Sequence, residues 1–178
     1  VVKEFTFRPF ASEAPQWHYA FSRFADGISD WRPVLEQIAD DFKKGEVQQF
    51  ATEGQYGSGG WKALSPKYAV WKEAQKPGAP VLVFSGLLRR AATNPDVVVT
   101  KDRLTITIDD SGSYQVFSKR EGRLVTKHKP AVAGYHQEGK GNLPVRKVIQ
   151  LPESQIVRWR KMFQSYMVAQ HRGGAIRV

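Results

Sequence analysis

The stretch GGWKALSPKYAVWK, Gly59 to Lys72, decides how the rest of the chain is read. Ser65 is a good helix cap and Pro66 suits the first helical position. A short helix is therefore expected from there to about Gln75. Its spacing puts Leu64, Tyr68 and Trp71 close to one buried face, with Trp61 folded over it and Lys67, Lys72 and Lys76 turned away. The KPGAP that follows ends the helix, because two prolines and a glycine cannot continue it. The aromatic residues thus read as a folding element and not as a ligand surface.

Upstream lies GQYGSGG, residues 54–60, a flexible loop. A phosphate-cradling loop needs a Lys-Ser/Thr pair opening a helix after a strand. Here a helix precedes the loop and Trp61 follows it, which excludes that chemistry. The preceding helix spans residues 30–52. Asp30 can cap it, Pro33 is tolerated in its first turn, and Trp31, Leu35, Ile38, Phe42 and Phe50 recur at helical spacing. Residues 1–29 begin with EFTFRPF, a short strand stopped by Pro9. The cluster Trp17, Tyr19, Phe21 and Phe24 then reads either as an extension covering the core or as an arm docking on a neighbouring subunit.

Downstream, VLVF is a short strand or extended run, and Ser85 caps a second short helix that ends before Pro95. Val97 to Thr100, a tight Lys101-Asp102 turn, and the alternating Leu104, Ile106 and Ile108 form a hairpin. SYQVFS is a further strand, residues 121–142 a hairpin or long loop with a strand near Val132 to His136, and LPVRKVIQL is extended. Pro152 opens a C-terminal helix with Ile156, Trp159, Phe163 and Tyr166 as its apolar stripe. This order defines an α+β fold: a long N-terminal helix, short helices and a C-terminal helix packed on a small, mainly antiparallel sheet with an extended β-hairpin. The domain reading is an arm or extension over 1–29 and one domain over 30–178.

With 178 residues, 41% hydrophobic and 25% charged, the chain suits one ordinary globular domain. It has no cysteine, which excludes disulfides, thiol catalysis and thiolate metal sites. The N-terminus lacks the pattern of a signal peptide, and no apolar run reaches the roughly 18–20 residues that span a bilayer, so no membrane partner is expected. The net charge of +10 lies wholly in residues 119–178, which hold 13 Lys+Arg against 3 Asp+Glu. Lys119, Arg120, Arg123, Lys127 and Lys129 would line an extended hairpin as a stripe for phosphates or for an acidic protein. A solvated basic face is the plainer reading.

The search for chemistry finds little. His18, His128, His136 and His171 have no partner three or four residues away, so no metal site is expected. His136 and Glu138 would share one side of a strand, an arrangement open to acid–base work. Ser85 lacks the flanking pattern of a hydrolase elbow. No catalytic residue and no cofactor is assigned.

Two stretches carry a resemblance. Gly60, Trp61, Leu64, Ser65, Tyr68, Trp71, Lys72, Pro77, Gly78, Leu82, Ser85, Gly86 and Leu88 stand in the order and spacing of a phage signature. His136, Gln137, Gly139, Leu143, Pro144 and Arg146 resemble its later part. The signature is that of phage virion morphogenesis proteins, also called tail completion proteins. The resemblance implies a structural virion protein and not an enzyme. Such proteins are similar to neck and head–tail joining proteins, assembled in the host cytoplasm as rings, commonly of six subunits. Their expected partners are neighbouring neck, connector or tail-terminator proteins and the packaged DNA in the channel. The resemblance also implies a signature core of Trp61, Leu64, Tyr68, Trp71, Leu88 and His136. The alternative is a nonspecific nucleic-acid-binding module built on the basic last third.

Overall fold

A computed structural model describes residues 4–7, 30–118, 123–129, 132–141 and 143–174. The elements, in order, are β1 (Glu4–Phe7), α1 (Arg32–Ala51), α2 (Gln55–Ser58), α3 (Pro66–Gln75), α4 (Leu87–Thr93), β2 (Asp96–Val99), β3 (Leu104–Thr107), β4 (Gly112–Ser118), β5 (Arg123–Lys129), α5 (Ala133–Glu138) and α6 (Glu153–Gly174). The fold is α+β, as expected. The strands form a three-stranded sheet in the order β1-β3-β2 and a separate β4–β5 ribbon. The chain divides into two compact units. Among the described residues, one holds 43–96, 107–118, 123–129, 132–141 and 143–152, and the other holds 4–7, 30–42, 97–106 and 153–174.

The second of these units is built by helical and strand periodicity. Trp31 just before α1 and Val34, Leu35, Ile38, Ala39 and Phe42 on it are buried at the expected spacing, and Leu104 and Ile106 are buried on alternate positions of β3. The Asp30 carboxylate accepts the Arg32 backbone N–H at 3.0 Å. Its hydrogen bonds with Arg32 hold its pKa down at about 2. Helix α6 lies antiparallel to this part of α1. Near its start, Trp159 Nε1 donates to Asp41 Oδ2 at 2.7 Å and Gln155 Nε2 donates to the Asp41 carbonyl at 3.1 Å. Near its end, Phe163 and Tyr166 meet the Trp31 ring at 5.6 and 5.7 Å, and the Tyr166 hydroxyl donates to the Asp30 carbonyl. Of the predicted stripe, Trp159 is buried but Ile156 is 37% exposed. The buried position is Gln155, whose amide is satisfied by the α1 backbone. The predicted hairpin is present, with Thr100 N–H donating to the Arg103 carbonyl at 2.8 Å across the Lys101-Asp102 turn.

The other unit is held by side chains that reach across long sequence distances. Gln49 Nε2 and Trp61 Nε1 both donate to the Lys147 carbonyl, at 2.9 and 2.7 Å. Gln49 Oε1 accepts the Gly57 N–H at 2.9 Å, which fixes the glycine loop and its single helical turn α2. Trp61 is buried edge-on against Phe50, with ring centroids 5.1 Å apart. Gly54 makes this possible. Its φ is +87°, and a Cβ there would lie 2.5 Å from the Trp61 ring. Arg146 is 4% exposed and donates from Nε to the Lys62 carbonyl at 2.7 Å and from Nη2 to the Ala63 carbonyl at 2.9 Å. Gln137 exchanges two hydrogen bonds with the Ile149 backbone, at 2.8 and 3.0 Å.

Three local expectations are corrected. The segment near Val132 to His136 is helix α5 and not a strand. The reason is tertiary: Asp110 Oδ1 accepts the N–H groups of Val132 and Ala133 at 2.9 and 3.1 Å, capping the helix from a distant part of the chain. VLVF is a turn, with no strand partner among the described residues. Tyr68 and Trp71, expected in the core, are 42% and 47% exposed, while Lys72 is buried at 3%.

Two substitutions test this framework. Gly54→Ala, which meets the Trp61 ring in a left-handed backbone, should cost about 2–4 kcal/mol in urea unfolding. A loss below about 1 kcal/mol would show that the indole moves aside freely. Glu46 is 2% exposed, its Oε2 has no hydrogen-bond partner among the described residues, and burial pushes its pKa well above the ordinary range. Its folded form therefore holds a proton that the unfolded chain releases near pH 4.5, so stability falls as pH rises from there through the folded pKa. Glu46→Gln should raise the melting temperature at pH 8 by at least about 2 °C and leave it unchanged near pH 4. Equal effects at both pH values would contradict this account.

Candidate functional site

The unit spanning 43–96 and 107–152 contains an open cleft of about 950 Å³. One wall comes from the start of α3 and the loop before α4, where Leu64, Tyr68, Leu82 and Phe84 face it. The other comes from the β4–β5 ribbon, α5 and the strip after it, through Tyr114, Lys129, His136 and Arg146. The loop 77–86 is pinned by Lys72 of α3 and by Lys76 just after that helix. Lys72 Nζ donates to the Pro80 carbonyl, and Lys76 Nζ to the Phe84 carbonyl at 2.5 Å. Glu53 completes the anchor by accepting the Val81 N–H at 2.9 Å. Within the loop, Leu82 takes φ +61°, a left-handed backbone that a bulky side chain rarely adopts.

Stacked aromatics run along the rim. Tyr68 stacks on Trp71 at 5.3 Å, Trp71 on Phe84 at 5.4 Å, and Phe84 meets the Tyr114 edge at 6.3 Å. The exposure of Tyr68 and Trp71 is thus part of an ordered ladder beside the cleft.

The polar side of the cleft is cationic. Lys72, Lys129, Arg146 and His136 line it, and no Asp or Glu is among its described lining residues. Burial pulls the pKa of Lys72 down, with Lys76 and Arg146 adding repulsion against the pull of Glu53. Burial also lowers Arg146. His136 is lowered first by burial, then by the Arg146 charge, and its Nδ1 is buried without a hydrogen-bond partner among the described residues. Burial raises the Tyr68 hydroxyl. Lys129 differs from the other cations because it is paired with the Oδ2 of Asp110, which is itself 1% exposed.

Of the residues singled out from sequence, Leu64, Tyr68, Leu88 and His136 line this cleft and Trp71 stands on its rim, while Trp61 is buried against Phe50. Strand alternation sets Arg123, Lys127 and Lys129 on one face of β5. On that face the ribbon register pairs Lys127 with Tyr114, a cleft residue. The expected uniform stripe is therefore modified at Lys129, whose charge is met by Asp110. Lys119 and Arg120 lie outside the described residues, as do Trp17, Tyr19, Phe21 and Phe24. The proposed His136–Glu138 pair is not formed. On helix α5 residues two apart do not share a face, and Glu138 pairs with Lys140 at 2.8 Å.

Sequence reasoning missed Lys72 and Asp110. The helical spacing turns Lys72 to the solvent side of α3, and no local pattern singles out Asp110. Its neighbour Asp109 is exposed and accepts the Ser111 N–H at 2.9 Å, while Asp110 turns inward. Among the described residues no cluster of His, Cys, Asp and Glu could hold a metal ion, and no helix is long and apolar enough to cross a membrane. No protein-family model, curated protein or solved structure significantly matches the chain.

The His136 environment carries a pH signature. Its folded pKa lies below the unfolded value of about 6.5, so the unfolded chain binds the extra proton first on acidification. Stability is present above about pH 6.5 and falls as pH drops through the folded pKa. His136→Gln should flatten the decline in melting temperature between pH 7.5 and pH 5.5. A slope unchanged by the substitution would place the titration elsewhere.

Proposed function

We propose that this chain is a structural subunit of a tailed-phage virion, assembling as a ring at the neck and joining head to tail through contacts, without turnover. The observation that carries the reading is the sequence signature from Gly60 to Leu88 with its later part from His136 to Arg146. Its two parts support one another in space: Arg146 bonds the backbone of Lys62 and Ala63, and the Trp61 indole bonds the Lys147 carbonyl. A signature that preserves such contacts preserves a scaffold, and a scaffold with an exposed aromatic ladder suits a protein that acts by docking. On this reading the ring is commonly six subunits and forms on its neighbours, with purified protein monomeric or weakly associating.

Gold-labelled antibody against the chain, applied to intact particles, tests the location. Label at the junction of head and tail is expected. Label on the capsid shell or the tail tip, or none on particles from producing cells, would overturn it. Sedimentation of the purified protein should show monomer at micromolar concentration.

A second reading, nonspecific nucleic-acid binding, is favoured by the exposed Lys127 sharing a ribbon face with Arg123 in the basic last third. Binding to a duplex oligonucleotide should then weaken steeply from 50 to 200 mM salt, by about 10³-fold or more for roughly six phosphate contacts. Lys127→Ala should reduce the salt slope by about 1. Absence of binding at low salt would remove this reading and leave the first intact.

A further inference from the structure

Lys72 and Arg146 are 3% and 4% exposed, yet no carboxylate among the described residues pairs with either of them. Their printed partners are neutral carbonyls: that of Pro80 for Lys72, and those of Lys62 and Ala63 for Arg146. Taking a charge out of water is costly unless an opposite charge meets it. Glu53 and Glu73 attract Lys72 through space without forming an ion pair with it, and Asp110 is engaged elsewhere: it pairs with Lys129 and accepts two N–H groups of α5. Two buried cations therefore line one cleft with hydrogen-bonding capacity to spare. Lys72 Nζ has three protons and one carbonyl acceptor, and Arg146 Nη1 has no partner among the described residues.

We propose that this cleft is a binding site for an acidic peptide segment of another protein, with a side-chain carboxylate seated at Lys72 and Arg146. The apolar wall of Leu64, Tyr68 and Phe84 takes the neighbouring apolar residues of that segment. Charge complementarity selects the occupant. A second copy of this chain, with a net charge of +10, is a poor occupant for a cationic cleft, whereas an acidic segment is attracted to it. The mixed lining favours a carboxylate on an apolar stem over a bare inorganic anion, because most of the cleft wall is apolar or aromatic. The site is also preorganised. The loop forming one wall is pinned by Lys72, Lys76 and Glu53, and the left-handed backbone at Leu82 is held in place rather than relaxed. The basic face of β5 extends the same field beyond the cleft, since Lys127 stands opposite Tyr114. An extended segment lying in the cleft and along the ribbon meets positive charge throughout. This inference does not rest on the virion reading and stands or falls separately from it.

Isothermal titration of the full chain at pH 7 and low salt tests it with two capped hexapeptides. One alternates leucine and glutamate, and the other carries glutamine in place of each glutamate. The glutamate peptide should bind saturably, and the glutamine peptide at least about tenfold more weakly, the effect of one charge-assisted hydrogen bond. Lys72→Met, confirmed as folded by circular dichroism, should weaken the glutamate peptide by about tenfold or more and leave the glutamine peptide unchanged. Lys127→Ala, at an exposed ribbon position, should weaken it by about twofold to fivefold. Binding of the two peptides within about twofold of each other, no saturation by either, or an unaltered affinity in folded Lys72→Met would each overturn the site. Displacement of the peptide by a duplex oligonucleotide would assign the cleft to nucleic acid and overturn the peptide. Self-association that the glutamate peptide dissolves would assign it to a second copy and overturn a separate partner.

Discussion

The carbonyl of Lys147 accepts two hydrogen bonds from side chains that lie 98 and 86 residues away, Gln49 and Trp61. The strip 143–149 has no strand partner of its own among the described residues; the Arg146 N–H donates to the His136 carbonyl at 2.8 Å, and side chains meet other backbone groups of the strip. Gln49, Trp61 and Gln137 do this, and Arg146 returns the favour to the carbonyls of Lys62 and Ala63. Removing one donor would leave a buried carbonyl short of a partner and loosen the wall that carries Arg146 and Pro144 into the cleft. Gly54 belongs to the same device, because only a residue without Cβ lets the indole reach that carbonyl.

A second buried group organises the opposite wall. Asp110 caps α5 through the N–H groups of Val132 and Ala133 and neutralises Lys129 from the ribbon. One carboxylate thus ties α5, which carries His136, to the ribbon, which carries Tyr114. The positive character of the cleft follows from this distribution. The acid is spent on structure, while Lys72 and Arg146 are held by neutral carbonyls and form no ion pair among the described residues. A surface of this kind recognises by charge and shape.

Much of the local structure was legible from sequence because its causes are local. The periodic Trp31, Leu35, Ile38 and Phe42, the Pro66 helix start and the Lys101-Asp102 turn all appear where their spacing and turn chemistry place them. The cleft was only half legible. Leu64, Tyr68, Leu88 and His136 were noticed, but as core residues, since helical spacing shows which side chains share a face and not what lies opposite. On α3 the side facing the rest of its unit is the one bearing Lys72, because the loop after the helix offers the Pro80 carbonyl as an acceptor. That left Tyr68 and Trp71 to stack with Phe84 at the surface.

By itself, the sequence determined the α+β class, the long and C-terminal helices, the hairpin and the concentration of positive charge in the last third. Each of these depends on neighbours within a few residues or on composition. Only the tertiary structure decided that residues 133–138 are helical, that Trp61 is buried while Trp71 is not, and that two buried cations line one cleft. Those outcomes turn on Asp110, Lys147 and Pro80, partners whose positions no local pattern encodes. The stretch from Gly59 to Lys72 shows both sides: its helix starts where Ser65 and Pro66 place it, and its buried face is chosen by the chain that packs against it.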